Sequence, residues 1–422
     1  MNDKKTCAVI TLGCKLNYAE SATIARDLLL KGYERIGPAR AADLYVINTC
    51  SVTEHADKKS RQAIRKVLRT NPDAYVIVTG CSVQLRPEDL WNIPGVGALL
   101  GTGFRDRVVH VSESKVPGTL LLEPCGDRDG FFQAYSAGED DGERTRSFLK
   151  VQDGCDYCCA YCTVPLARGR SRNIPIAAVV RQAAEIASKG VREIVLTGVN
   201  TGDFGKTTGE SFADLLRALA EVPGIDRYRI SSIEPNLLTG EIIEMTAAGK
   251  RFLPHFHIPL QSGSDRVLKK MGRRYDTALF VQKVRHIRTL MPYAFIGVDV
   301  IAGFPGETEA DFTDTYNLLE ELRPSFLHVF PFSLRPGTRA AAFPVTERVR
   351  DSVITRRTQL LGRLSDRLHN EFILANKGRR EEVLFEGKTG KGKMHGYTRN
   401  YIRVERPYDP SLINTIVEII LD

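Results

Sequence analysis

The chain's 422 residues suffice for about two to four domains with separate cores, and 42% hydrophobic against 26% charged residues is the balance of an ordinary soluble protein. Apolar runs such as Phe295–Phe304, which contains Asp299, are far too short to span a bilayer, so a membrane-embedded function is excluded. Fifty-nine basic against 51 acidic side chains leave a formal charge of +8, which favours an anionic partner such as RNA, although a mildly basic metabolic enzyme carries as much.

In chain order, Met1–Thr6 lacks the apolar stretch of a secretory signal, and the cytoplasm is the expected location. An apolar strand, a cysteine and a helix then recur: Cys7–Leu12 leads to Cys14, Leu44–Thr49 to Cys50, and Tyr75–Gly80 to Cys81. Short β-rich runs alternating with helical segments predict parallel strands with crossover helices. Ligands of such open sheets gather beyond the carboxyl ends of the strands. Cys14, Cys50 and Cys81 all sit at that end and can converge, although each alone reads as a small apolar residue. Cys7 begins a strand and Cys125 has no comparable place, so both are expected to be structural. Lys58, Arg61, Arg65 and Arg69 form a basic stripe on the helix after Cys50, either a phosphate grip or a solvated face.

From Glu123 to Arg146 the pattern lapses into glycine and charge, with an acidic knot at Glu139–Glu143, and reads as a linker. Six further strands are predicted at Phe148–Gln152, Glu193–Thr197, Arg227–Ser232, His255–Pro259, Phe295–Ile301 and Phe326–Phe330, alternating with helices. Six βα units fall short of the eight of a closed barrel, so a partial, open barrel is expected. Thr346–Asn376 is amphipathic, with Leu360, Leu361, Leu364, Leu368 and Phe372 at helical spacing, and should pack back on that barrel. Glu381–Asp422 reads as short strands of a small β-barrel, in which Lys388, Lys391, Lys393, Arg399, Arg403 and Arg406 interleave with Tyr397 and Tyr401. Such a surface suits bases and phosphates, or is a solvated sheet face. The expected division is residues 1–122, a linker at 123–146, 147–376, and 377–422.

Nine cysteines in a chain expected in the cytosol argue for metal or redox chemistry over disulfides. Four of them lie in the loop Val151–Cys162, where the triad is either Cys155, Cys159 and Cys162 or Cys155, Cys158 and Cys162. Three thiolates leave one iron of a four-iron cube open to a cofactor. A zinc site is the competing reading and lacks a nearby fourth ligand. Polar residues at the barrel strand ends, Thr197, Asn200, Ser232, Glu234, Gln261 and Asp299, suit cofactor or substrate, or cap the following helices. The glycines of Gly297–Glu307 permit close backbone approach.

With Tyr161 ahead of its last cysteine, the loop resembles that of radical S-adenosylmethionine (SAM) enzymes, which selects Cys155, Cys159 and Cys162. Together with Thr11–Asn17, Cys50, Cys81, His257–Ser264 and Asp299–Glu307, in that order along nearly the whole chain, it resembles the methylthiotransferases, and the carboxyl-terminal segment resembles their TRAM domain, a small RNA-binding barrel. Leu12–Asn17, Glu20–Ser21 and His328–Thr338 are most similar to the branch acting on N6-threonylcarbamoyladenosine in tRNA, although Tyr18 stands where that branch often has glutamine. The sister branches act on isopentenyladenosine in tRNA or on a ribosomal-protein aspartate. The resemblance implies an α/β fold with an amino-terminal open parallel domain, a central partial (β/α)6 radical SAM barrel and a TRAM-like barrel. It implies one 4Fe-4S cluster on Cys155, Cys159 and Cys162 that cleaves SAM, and an auxiliary 4Fe-4S cluster on Cys14, Cys50 and Cys81. SAM would serve as methyl donor and as radical source for attack at adenine C2. Tyr161, Arg170, Asn200, Ser232, Glu234, Ile301 and Gly303 are the implied SAM contacts. The implied partners are a tRNA anticodon stem-loop, a reductant such as flavodoxin or ferredoxin, and a sulfur donor, with no membrane. A non-catalytic iron–sulfur RNA-binding or sensor protein is the alternative of another class; it leaves the polar strand ends unexplained.

Overall fold

A computed structural model of the chain describes residues 4–124, 130–137, 145–389 and 392–422. Cys125 and the acidic knot Glu139–Glu143 lie outside the described residues. The first sheet has six parallel strands, β1 (Thr6–Thr11), β2 (Glu34–Arg35), β3 (Leu44–Thr49), β4 (Tyr75–Gly80), β5 (Ala98–Leu100) and β6 (Thr119–Leu121), in the order β2-β1-β3-β4-β5-β6. Its central strands are buried on both faces, which is why they read as continuous apolar runs rather than alternating ones. Helices α1 (Lys15–Leu30), α2 (Glu54–Thr70) and α3 (Cys81–Leu85) follow β1, β3 and β4.

The next six strands form the expected open barrel in two parallel halves: β7 (Arg146–Lys150), β8 (Glu193–Thr197) and β9 (Arg227–Ile230), then β10 (His255–Gln261), β11 (Phe295–Ala302) and β12 (Phe326–Pro331). Single bridges, Tyr228 to Phe252 and Ser232 to His257, join the halves. Alternation sorts the side chains. Leu149, Ile194, Leu196, Tyr228, Ile230, Phe256, Ile258, Val298, Val300 and Leu327 enter the core under the helices, so their neighbours along each strand face the lumen. The presumed linker is partly structural: Tyr135 pairs antiparallel with Leu149, and the Lys150 amide donates to the Ala134 carbonyl at 2.9 Å.

The amphipathic helix begins at Asp351 rather than Thr346, because Val345–Glu347 form a 3-10 turn whose last carbonyl accepts from the Gly306 amide at 2.7 Å. Its Leu361, Leu364 and Leu368 join the barrel core. Four antiparallel strands follow, β13 (Arg380–Thr389), β14 (Lys393–Thr398), β15 (Arg403–Pro407) and β16 (Ile416–Ile420), curled into a half-barrel with the order β15-β14-β13-β16. No helix among the described residues is long and apolar enough to cross a membrane.

The first sheet is joined to the barrel by a buried ionic network. Glu20 of α1 accepts from Lys150 at 2.9 Å and Arg168 at 3.0 Å and forms an ion pair with Arg105 at 3.1 Å. Asp153 accepts from Lys150 at 2.7 Å, Arg168 at 2.9 Å and Arg172 at 3.1 Å. Burial opposes ionisation of Glu20, but Arg105, Arg168 and Lys150 overcome it and lower its pKa from 4.5 to about 2. Its contribution to stability is therefore complete above pH 4.5 and drains away as pH falls toward 2. Glu20→Gln, which strands buried cations, should cost about 3–5 kcal/mol at neutral pH. Thermal unfolding of the variant and the parent at pH 7 and pH 3 checks this: the gap between them should narrow at the lower pH.

Candidate active site

Strands β1, β3 and β4 are neighbours, with Thr11 opposite Asn48 and Thr49 opposite Gly80, so their carboxyl ends lie level. Cys14 caps α1, Cys50 follows β3 and Cys81 opens α3. Two glycines permit this convergence. Gly13, at φ 98°, would place a Cβ 2.5 Å from the Cys50 Cβ, and Gly80, at φ 105°, would place one 2.5 Å from the Thr49 carbonyl oxygen. The Asn17 amide ties the loops by donating to the Leu12 carbonyl at 2.8 Å and the Thr49 carbonyl at 3.0 Å. Burial, then the Cys81 and Cys14 thiols, push the Cys50 thiol up to about 12. Cys81 is also raised by burial, against the pull of Arg168 and Arg105. The Cys50 and Cys81 thiols, which resist ionisation, would become thiolates when a cationic centre neutralises them.

The second triad lies beside the same network. Gly154, at φ 69°, passes so close to the returning chain that a Cβ would overlap the Arg170 carbonyl oxygen, at 1.9 Å. The Cys155 amide donates to the Gly169 carbonyl at 3.0 Å, closing the loop. Burial, with the neighbouring thiols adding to it, pushes Cys155 and Cys162 up to about 12, and Cys155 feels both Cys159 and Cys162. Cys158 is exposed, and its carbonyl accepts from Arg339 at 2.6 Å. Of the described residues, only His257, Asp299 and His328 gather three ligand atoms within 4.8 Å.

Arg273 organises the surroundings of this loop, and no sequence motif pointed to it. It donates to the Cys159 Sγ at 3.1 Å, to the Tyr161 hydroxyl at 3.3 Å and to Glu234. Burial raises the Glu234 pKa, and Arg273 opposes that rise. Tyr161 meets Phe304 edge-on at 6.4 Å, in an apolar cluster that also holds Ile301. Asn200 is buried, and neither of its side-chain polar atoms has a partner among the described residues. An orphaned amide at a strand end fits a polar cofactor. Ser232 lies at the bridge to His257. Arg170 is exposed, and its charge acts on Asp156 of the cysteine loop. At Gly303 a Cβ would meet the Ile354 Cγ1 at 2.3 Å, so this glycine makes room for the carboxyl-terminal helix.

Arg335 was also missed as a site residue, although it lies in the quoted stretch His328–Thr338. It donates to the Ser51 hydroxyl at 2.8 Å and to Asp57, and Ser82, which bonds Asp57 at 3.1 Å, donates to the Cys50 carbonyl at 2.8 Å. The barrel thus grips the loop that carries Cys50. Of the basic stripe, Lys58, Arg65 and Arg69 are exposed, whereas Arg61 leans toward Asp89 at 4.0 Å. Tyr397 and Tyr401 do not form an open stacking surface. They stack on each other at 4.9 Å beneath Arg146, and Tyr401 packs on His255 and Phe295 at the base of the barrel.

Residues 6–101 match the model of the uncharacterized protein family UPF0004, and residues 149–319 that of the radical SAM superfamily. Over 98% of this chain and 93% of the relative, it is 38% identical to the threonylcarbamoyladenosine tRNA methylthiotransferase MtaB of Bacillus subtilis. The chain belongs to the radical SAM methylthiotransferase family. A tRNA-2-methylthio-N(6)-dimethylallyladenosine synthase of Pelotomaculum thermopropionicum is 32% identical over 98% of this chain and 94% of that one. In fold, this methylthiotransferase is similar to the radical SAM methyltransferase TsrM of Kitasatospora setae, with a TM-score of 0.58, 16% identity, and coverage of 80% of this chain and 77% of that one.

The two candidate registers of the loop differ in burial, Cys159 being buried and Cys158 exposed. Cys158→Ala should keep the full iron and sulfide content of the reconstituted protein, whereas Cys159→Ala should lose about half of each. Iron and sulfide assays with absorption spectra check this.

Proposed function

We propose that this chain installs a methylthio group at C2 of N6-threonylcarbamoyladenosine next to the anticodon of tRNA. The observation that carries the reading is the pairing of two cysteine triads around one buried network, in a chain aligned end to end with relatives of that name at up to 38% identity. The dimethylallyladenosine relatives align over the same length at up to 34%. Cys155, Cys159 and Cys162 hold one 4Fe-4S cluster, and Cys14, Cys50 and Cys81 hold the other. When bound, these groups and SAM supply the radical and the methylated sulfur, because the adenine C2–H bond is beyond general-base chemistry.

The protein's share is binding, positioning and exclusion of water. Arg273 fixes Cys159, Tyr161 and Glu234 relative to one another. The unpartnered Asn200 amide and Glu234 bind polar parts of SAM, and Tyr161 with Ile301 offers its apolar wall. Arg168 donates to the Asn17 amide oxygen at 2.6 Å and to both network carboxylates, so the sulfur-supplying triad keeps a fixed place relative to the radical-forming one. Division into residues 1–122, 147–376 and 377–422 follows these roles, and a flavodoxin or ferredoxin in the cytoplasm is the reductant.

Loss of the gene should abolish 2-methylthio-N6-threonylcarbamoyladenosine in tRNA and leave the threonylcarbamoyl precursor to accumulate; nucleoside mass spectrometry reads both, and unchanged levels would refute the reading. Replacing Cys14, Cys50 and Cys81 together by Ala should stop methylthiolation while 5′-deoxyadenosine still forms from SAM under dithionite. On α2, converting Lys58, Arg65 and Arg69 to Ala should weaken tRNA binding about uniformly across sequences and reduce the salt slope by about 1 per lost phosphate contact. Anisotropy titrations at several salt concentrations test that.

A further inference from the structure

The loop that carries Cys155, Cys159 and Cys162 offers its three sulfurs unequal donors. The Cys155 Sγ accepts from the Tyr157 amide and the Cys162 Sγ from the Val164 amide, each at 3.4 Å. The Cys159 Sγ accepts from the Arg273 Nη1 at 3.1 Å. Among the described residues it is the only sulfur of the two triads that takes a hydrogen bond from a charged group. A donor bonded to a cluster ligand acts on the charge of the cluster as well as on its position.

This guanidinium is held against the sulfur from several sides. Gly272, at φ 76°, turns the chain out of the helix Asp265–Met271, and the Arg273 amide returns to the Leu268 carbonyl at 3.0 Å, a turn with which helices commonly end. The Ala160 amide donates to the Met271 carbonyl at 2.7 Å, so the same helix end also holds the cysteine loop. The Arg273 Nε donates to the Tyr275 hydroxyl at 3.1 Å, that hydroxyl is fixed in turn on the Pro259 carbonyl at 2.6 Å, and Nη2 meets Glu234. All three guanidinium nitrogens are thus engaged, and the side chain is only 3% exposed. A charge so enclosed is little screened by water and salt. Glu234 takes Nη2 while Nη1 meets the sulfur, so the positive member of the pair is the one nearer Cys159.

We propose that Arg273 sets the reduction potential of the cluster on Cys155, Cys159 and Cys162, raising it so that a one-electron donor of flavodoxin or ferredoxin type can fill it, with Glu234 as the counter-charge that limits the rise. The assignment rests on the cluster ligands proposed above. One electron leaves the donor and enters the cluster; no bond breaks, and the guanidinium keeps all its protons. The added negative charge is shared with the cysteine sulfurs, so a cation bonded to one of them binds the reduced form more tightly than the oxidised one. The Tyr157 and Val164 amides act in the same direction as neutral and therefore weaker donors. Arg273 is in this sense a positioning residue, acting on the reaction through Cys159.

The test reads midpoint potentials from the electron paramagnetic resonance signals of reconstituted holoenzyme, poised with redox mediators in the absence of SAM. The signal missing from Cys159→Ala belongs to this cluster, and the remaining signal is the internal standard. Arg273→Gln, checked for full iron content, should lower the reduced-to-oxidised ratio at a given potential on the order of 10-fold, about 59 mV for a one-electron couple, the difference between a charged and a neutral donor. The internal standard should stay in place. Glu234→Gln removes the opposing charge and should raise the same midpoint, a shift that a group serving only to prop the loop would not produce. An unchanged or raised midpoint in Arg273→Gln, an unchanged or lowered one in Glu234→Gln, or an equal shift of both clusters overturns the proposal. Where Arg273→Gln fails to hold its iron, the sign of the shift in Glu234→Gln decides. Survival of both signals in Cys159→Ala would overturn the ligand assignment itself, and the proposal with it.

Discussion

The spacing of the two cysteine triads depends on the buried ion network between Glu20 and Asp153. Glu20 lies on α1, which starts beside Cys14, and Asp153 stands just ahead of Cys155. Lys150 and Arg168 bond both carboxylates, so a single set of directional contacts fixes where one triad lies relative to the other. Removing such charges from water costs several kcal/mol each, and an apolar interface of equal volume would often be as stable. What an ionic network adds is geometry. Apolar surfaces can slide by fractions of an ångström, whereas a forked guanidinium between two carboxylates has few acceptable positions.

A second contact of the same kind steadies the Cys50 side, where Arg335 reaches from the stretch after β12 to Ser51 and Asp57. The barrel is closed differently at its two ends. Its base is packed by the carboxyl-terminal half-barrel through Tyr401, Arg229 and His255, with the Arg229 guanidinium 4.7 Å from the tyrosine ring centroid. The carboxyl ends of the strands hold the polar groups and the cysteine loop. A sealed base and an open, cysteine-bearing top confine chemistry to one end of the lumen, as strand polarity in such barrels requires.

Much of this was legible in the chain. All six barrel strands lie within a few residues of their expected bounds, because strands buried between helices and lumen carry strong apolar runs. The cysteines were legible because their positions relative to strand ends are local facts. Glu20, Arg168 and Arg273 were not. A charged residue on an amphipathic helix reads as solvated, and only the approach of another domain buries it; Glu20 meets Arg168 across 148 positions of sequence. Tyr397 and Tyr401 failed for the same reason, since an aromatic among arginines suits a nucleic-acid surface and a buried cation–π stack equally well. Composition does not say which side of a sheet another domain covers.

The charges of the network do not balance. Arg105, Lys150, Arg168 and Arg172 are four cations, Glu20 and Asp153 two anions, and four less two leaves a surplus of two positive charges in the interior. Such a surplus is tolerated where an anion lies within reach. The groups that feel it are the cysteines: Arg168 and Arg105 pull the Cys81 thiol toward ionisation, and Arg168 does so for Cys50. Thiolates committed to a cluster would answer this charge, and the same arginines hold the two sheets together. If Cys14, Cys50 and Cys81 hold a cluster as proposed, its loading and the tightening of the interface would be linked through one electrostatic field, each making the other more favourable.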